Sequence, residues 1–162
     1  MSTRDRDLQG AVRIEGAPPS ILIVRAPYYR DIVGRLTEGA RRVLARADAT
    51  VEGIDVAGAF ELPQAIRMVL RGPTRYDGFV ALGCVVRGET SHYDHICDAT
   101  MHGLMQVALT YGIALGTGLL TVETIGQAEA RAQPEGGANK GEEAAIACLG
   151  QVALAREIAR SR

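Results

Sequence analysis

Tryptophan is absent from this chain of 162 residues, and aromatic residues make up only 4% of it. Each ring is therefore worth locating. Lysine is almost missing: of 18 basic residues only Lys140 is a lysine, and the rest are arginine. The three cysteines, Cys84, Cys97 and Cys148, are odd in number, widely spaced and without a C-x-x-C pair. That excludes a disulfide framework and a zinc knuckle, and leaves small buried hydrophobes as the plain reading. No run of about 18 apolar residues occurs, which excludes a membrane-spanning helix. The opening MSTRDRDLQG has no apolar stretch to serve as a signal peptide, so a cytoplasmic protein is expected. A net charge of −1 gives no pull towards nucleic acid or an anionic bilayer.

What is present is ordinary for a folded protein: 47% hydrophobic and 23% charged residues. The length suits one domain with a core of real size. Gly16-Ala17-Pro18-Pro19 separates an N-terminal arm, residues 1–19, from a body of residues 20–162. Within the arm, residues 11–14 alternate and suit a short edge strand. Residues 21–24 (ILIV) form a continuous apolar run, as in a strand covered on both faces. Ile32, Val33, Leu36, Ala40, Val43, Leu44 and Ala47 then recur at helical spacing. Residues 51–56 read as a second central strand, and Leu62, Ala65, Ile66, Val69 and Leu70 as an amphipathic helix. A third strand over 79–86 precedes a helix over 92–111, and a fourth strand covers 113–122. Thr124-x-x-Gln127 matches a capping box that opens a short helix. After Pro134-Glu135-Gly136-Gly137, an Ala-rich helix runs over 139–160. Strand and helix alternate four times, which predicts one α/β domain with a mainly parallel sheet and helices on both faces.

In such a sheet ligands bind beyond the carboxyl ends of the strands. The richest of these places is Arg87-Gly88-Glu89-Thr90-Ser91-His92-Tyr93-Asp94. It leaves a buried strand, turns at a glycine and enters a helix, so free N–H groups and the positive helix end suit an anion. An ordinary strand-to-helix loop, with Ser91 as a cap, is the alternative. His92 at its mouth can take and give a proton near neutral pH; a solvated or helix-capping histidine is the alternative. His92 and His95 are spaced i, i+3, but His102 lies about 10 Å further along a helix. No second cluster completes a metal shell, and no metal is expected. Ala59, Phe60 and Glu61 follow the second strand, where Glu61 could accept hydrogen bonds from a polyol. Tyr28 follows the first strand and suits either stacking on a planar heterocycle or packing against a helix. Arg131 ends the short capped helix; a fixed planar cation suits phosphate, although most such arginines are solvated.

GAFELP (58–63), GCVVRGETSHYDHI (83–96), GLLTVETIGQAEAR (118–131) and NKGEEAA (139–145), in this order and spacing, resemble the lumazine synthase family. The resemblance covers nearly everything from about residue 20. It implies a transferase of riboflavin biosynthesis that condenses 5-amino-6-(D-ribitylamino)uracil with 3,4-dihydroxy-2-butanone 4-phosphate. The products are 6,7-dimethyl-8-ribityllumazine, phosphate and water, made without metal or organic cofactor. It puts the proton shuttle on His92, the phosphate loop on Gly88, Glu89 and Thr90, and the phosphate-binding arginine on Arg131. Tyr28 becomes the ring that stacks on the pyrimidine. Ala59, Phe60 and Glu61 hold the ribityl chain, and the pyrimidine edge lies near Val85 and Val86. The implied fold is a three-layer α/β/α sandwich of flavodoxin-like type, with a four-stranded sheet and an arm strand added to a neighbour's sheet.

Three departures stand out. Thr117 replaces a phenylalanine that in many members reaches a neighbour's pyrimidine site. Glu89 replaces a small residue, so its carboxylate must point away from a phosphate. The linker 133–137 is longer than in shell-forming members and carries the flexible pair Gly136-Gly137. The resemblance implies a homo-oligomer with sites between subunits of a ring of five. The linker favours a pentamer, or two pentamers face to face, over a sixty-subunit shell. The rival readings are a non-catalytic binder of flavin or lumazine, supported by Thr117, and a purely structural shell protein. Retention of His92 and Arg131 argues against both.

Overall fold

The computed structural model describes residues 14–161. Nearly all of the expected arm strand over 11–14 lies outside those residues. Four strands, β1 (Ser20–Ala26), β2 (Thr50–Asp55), β3 (Gly78–Val86) and β4 (Ala114–Val122), form one wholly parallel sheet. Five helices alternate with them: α1 (Arg30–Arg46), α2 (Leu62–Arg71), α3 (His92–Tyr111), α4 (Ile125–Glu129) and α5 (Lys140–Arg160).

The apolar runs become two cores because successive strand side chains point to opposite faces. Ile21 and Ile23 of β1, with Val80 and Leu82 of β3, pack under α1 and α5. Leu22 and Val24, with Phe79 and Ala81, pack under α2 and α3. Sheet between two helical layers is the expected three-layer sandwich. α5 lies close against both neighbours: a Cβ at Gly116 would collide with the Ala144 carbonyl, and one at Gly141 with that of Leu36.

Strand order is β2-β1-β3-β4, the flavodoxin-like order. This corrects the reading of residues 51–56 as a central strand. β2 is the sheet edge, and four of its six residues are exposed. Val51 packs towards the core under α1 and α5, and Ile54 towards the core under α2 and α3, so each face carries an apolar residue, and that says nothing of how many strands flank β2. The chain steps from β2 over β1 to start β3, so the order reverses between β1 and β3. That switch point is where an open α/β sheet leaves its crevice.

The linker after α4 is closed rather than loose. Ala132 and Asn139 form an antiparallel bridge, the Gln133 N–H donates to the Ala138 carbonyl (2.9 Å) and the Gly137 N–H to that of Pro134 (3.0 Å). Gly136 takes the left-handed backbone, φ 88°, that glycine adopts without strain.

Candidate active site

All four strands end at one edge, so the turns after them are neighbours in the order β2, β1, β3, β4. The pairing of β1 with β3 stops at Ala26 and Gly83. β3 continues through Cys84, Val85 and Val86 beside β4 alone. Three residues of strand, about 10 Å, thus rise beyond the end of β1 and wall a notch at the switch point. Val85 and Val86 are half-buried on that wall.

Tyr28 stands at the foot of the notch, 75% exposed. Its only aromatic contact among the described residues is edge-to-face with Tyr29, centroids 5.2 Å apart. Tyr29, not Tyr28, packs against the core, so the faces of the Tyr28 ring are open to a planar ligand. On the far side of β1, Ala59, Phe60 and Glu61 form a single 3-10 turn before α2. Phe60 is 48% exposed, and the half-buried Glu61 turns back towards Gly58.

Beyond β3 the Arg87 N–H closes the ladder onto the Val122 carbonyl (2.9 Å). The next four N–H groups, of Gly88, Glu89, Thr90 and Ser91, donate to no protein acceptor among the described residues. A Cβ on Gly88 would meet nothing within 4 Å, so the approach to these donors is unobstructed. Ser91 precedes α3 with helical backbone angles and makes no side-chain cap. Instead Thr90 Oγ1 accepts from the His92 N–H at 3.4 Å. His92 begins α3 and is exposed at the rim. Glu89 is also exposed and forms no ion pair among the described residues, which leaves its carboxylate able to point outward while its N–H serves the turn.

Sequence reasoning assigned no role to Arg87, which the structure makes the best-bonded side chain here. Its Nη atoms donate to both Asp94 carboxylate oxygens, at 2.7 and 3.0 Å. Its Nε lies 2.8 Å from Glu123 Oε2, and its guanidinium sits 4.1 Å from the Tyr93 ring centre. The carboxyl of Asp94 is held below the usual range by the Arg87 hydrogen bonds. The signal in the sequence was an arginine directly after a buried strand with an aspartate in the first turn of the next helix.

After β4, Thr124 caps α4 by accepting from Gln127 N–H (3.3 Å), and Gln127 Oε1 accepts from Glu123 N–H (2.9 Å). That is a capping box whose return bond lands one residue early. Arg131 follows α4, and its Nη1 donates to the Gln127 carbonyl at 2.9 Å. Thr117 is not brought to this edge within one chain. It pairs with Ala81 in mid-strand, five residues from Val122 and so about 16 Å from the end of β4.

An open parallel sheet with a notch at its switch point, and at the same edge an open ring, a histidine and unbonded N–H donors, defines an α/β protein with a candidate anion site there. The family is specific. The family model for 6,7-dimethyl-8-ribityllumazine synthase matches residues 18–156. Similar curated proteins bear the same description. That of Paramagnetospirillum magneticum is 41% identical over 87% of this chain and 97% of its own length. That of Azorhizobium caulinodans is 42% identical over 96% and 97%, and synthase 1 of Rhizobium meliloti 43% over 87% and 94%. The chain belongs to the 6,7-dimethyl-8-ribityllumazine synthase family. None of the described helices is long and apolar enough to cross a membrane.

Proposed function

We propose that the protein condenses 5-amino-6-(D-ribitylamino)uracil with 3,4-dihydroxy-2-butanone 4-phosphate, releasing phosphate, water and 6,7-dimethyl-8-ribityllumazine, the penultimate step of riboflavin biosynthesis. The observation that carries this is family membership over residues 18–156 in a chain that keeps His92 and an unobstructed row of N–H donors beside the switch point.

The work divides by position. The N–H groups of Gly88, Glu89 and Thr90, at the positive end of α3, receive the phosphate, and Arg131 supplies the formal charge. Tyr28 stacks on the pyrimidine, whose edge lies along Val85 and Val86, and Ala59, Phe60 and Glu61 take the ribityl chain. Amine attack on the ketone, loss of water, elimination of phosphate and ring closure each move a proton. His92, at the rim of the phosphate turn, can serve several of these steps. Holding the two substrates together supplies much of the rest.

Thr117 fits this scheme only if the site is shared between copies, since it lies far from the notch of its own chain. The assembly we favour is a pentamer or two pentamers face to face, with each site between neighbours. A flavin or lumazine binder without chemistry would need neither His92 nor Arg131. Purified protein given both substrates decides: lumazine absorbance should grow with one phosphate released per turnover. Binding of the pyrimidine with no lumazine formed would reject the enzyme in favour of the binder.

A further inference from the structure

Arg87 makes more polar contacts than any other side chain at the sheet edge, and all of them lie outside the residues assigned to substrate. Its partners come from separate elements. Asp94 is in the first turn of α3, and Glu123 is in the turn between β4 and α4. Arg87 itself directly follows β3. The four unbonded N–H groups and His92 lie between Arg87 and Asp94, in a stretch with little else to hold it. Ser91 makes no cap, and the bond from the His92 N–H to Thr90 is long at 3.4 Å. Both carboxylates are more than half exposed, and ion pairs of that kind add little to global stability. What they fix is geometry, because a planar fork bound at both ends allows few orientations. The Tyr93 ring under the guanidinium removes a further freedom.

We propose that Arg87 is a positioning residue for the reaction: it locks the phosphate-receiving turn and His92 onto the β4–α4 turn that leads to Arg131. This rests on the function proposed above. Arg87 acts through Asp94 and Glu123. With its N–H groups committed to two carboxylates and one face on a ring, it is not a phosphate ligand.

The test uses Arg87→Gln, Arg87→Lys and the double variant Asp94→Asn with Glu123→Gln in the assembled protein. Misplacement of reacting groups by about 1 Å costs up to about 100-fold, so kcat should fall about 10- to 100-fold in Arg87→Gln. KM should rise for the phosphorylated butanone and stay level for the pyrimidine. Lysine, a point charge, cannot span both carboxylates and should rescue little. The double variant should show a similar loss, and adding Arg87→Gln to it should cost little more, as expected for groups that act as one unit. Full kcat in a folded Arg87→Gln protein would overturn the proposal. So would a loss in Arg87→Gln far beyond that of the double variant, which would make Arg87 a phosphate contact. Losses on both substrates that merely follow a falling Tm would reduce it to a stabilising pair. Wild-type turnover in the same assay separates these outcomes from failure of the proposed reaction itself.

Discussion

His92 and Arg131 answer to different measurements. His92 begins α3 beside the free N–H groups and is reachable by solvent, so under the proposed mechanism its loss removes a proton carrier without removing a wall. In His92→Ala, kcat should drop on the order of 10²–10⁴-fold with pyrimidine affinity kept; unchanged kcat would end the role. In the proposed site Arg131 adds charge to a turn that otherwise offers neutral donors. Arg131→Ala should therefore raise KM for the phosphorylated butanone well above any change for the pyrimidine, and equal changes would count against it. Cys84 and Cys148 are core residues, whereas Cys97 is half-buried and departs from the buried reading. Burial pushes Cys84 up to about 11 and Cys148 to about 12. A raised folded value means stability fully present below the unfolded thiol range, about 8.5, and lost as pH climbs from there towards those values. At neutral pH neither thiol should react with Ellman's reagent until the protein unfolds, and fast labelling of three thiols in the native state would contradict it. Position alone singled out the turn of glycine, hydroxyl and histidine after a buried strand as a candidate, and the roles of His92 and Arg131 came from the family resemblance. Arg87 was legible in neither way, since its meaning lies in Glu123, which is distant in sequence and joins it only through the pairing of β3 with β4.

At the scale of elements, the strongest local device is Asn139, only 3% exposed. Its side-chain oxygen accepts from the N–H groups of Gly141 (2.9 Å) and Glu142 (3.3 Å), capping α5. Its amide donates to the carbonyls of Arg35 (3.1 Å) and Gln133 (2.8 Å), tying α5 to α1 and to the linker. A lost cap costs about 1 kcal/mol, and the two part-buried hydrogen bonds of the amide about 0.5–1.5 kcal/mol each. Asn139→Ala should lower unfolding free energy by about 2–4 kcal/mol in a urea titration at unchanged slope. A loss under about 0.5 kcal/mol would show that water replaces the side chain. The helix starting at this residue was readable from its alanine-rich run; the fourfold bonding of Asn139 was not, because three elements must first meet. The same holds for β2. Its sequence reads as a strand, but its place at the edge follows from the crossover to β3, which no local pattern records. The Gly136-Gly137 pair shows the converse error: composition suggested a hinge, and the bridge of Ala132 with Asn139 closes it.

For the whole molecule, the apolar surface left uncovered by one chain sets the argument. Met101, Met105 and Leu109 recur every four residues along α3 and are 42%, 60% and 76% exposed. They share one outward stripe, and α3 buries only Thr100, Leu104 and Val107. A contiguous stripe of this kind on a folded chain marks a surface made for contact. On the proposed reading Thr117 points the same way, since from mid-strand it meets a pyrimidine site only in another copy. Activity should therefore belong to the assembly. Met105→Arg sets a charge in the stripe, where burial without a partner is costly. It should yield smaller species with unchanged far-UV circular dichroism and little turnover. The size of assembly proposed above rests on the linker. Because the 132–139 loop is closed, the angle between α4 and α5 is set by the length of that loop rather than left free. A loop longer than shell-forming members use sets a different angle, and a closed shell cannot absorb a repeated angular error. Light scattering on the purified protein should give a mass near five or ten protomers. A mass near sixty would mean the loop does not govern how rings meet, and a monomer with full turnover would mean the site needs no second copy.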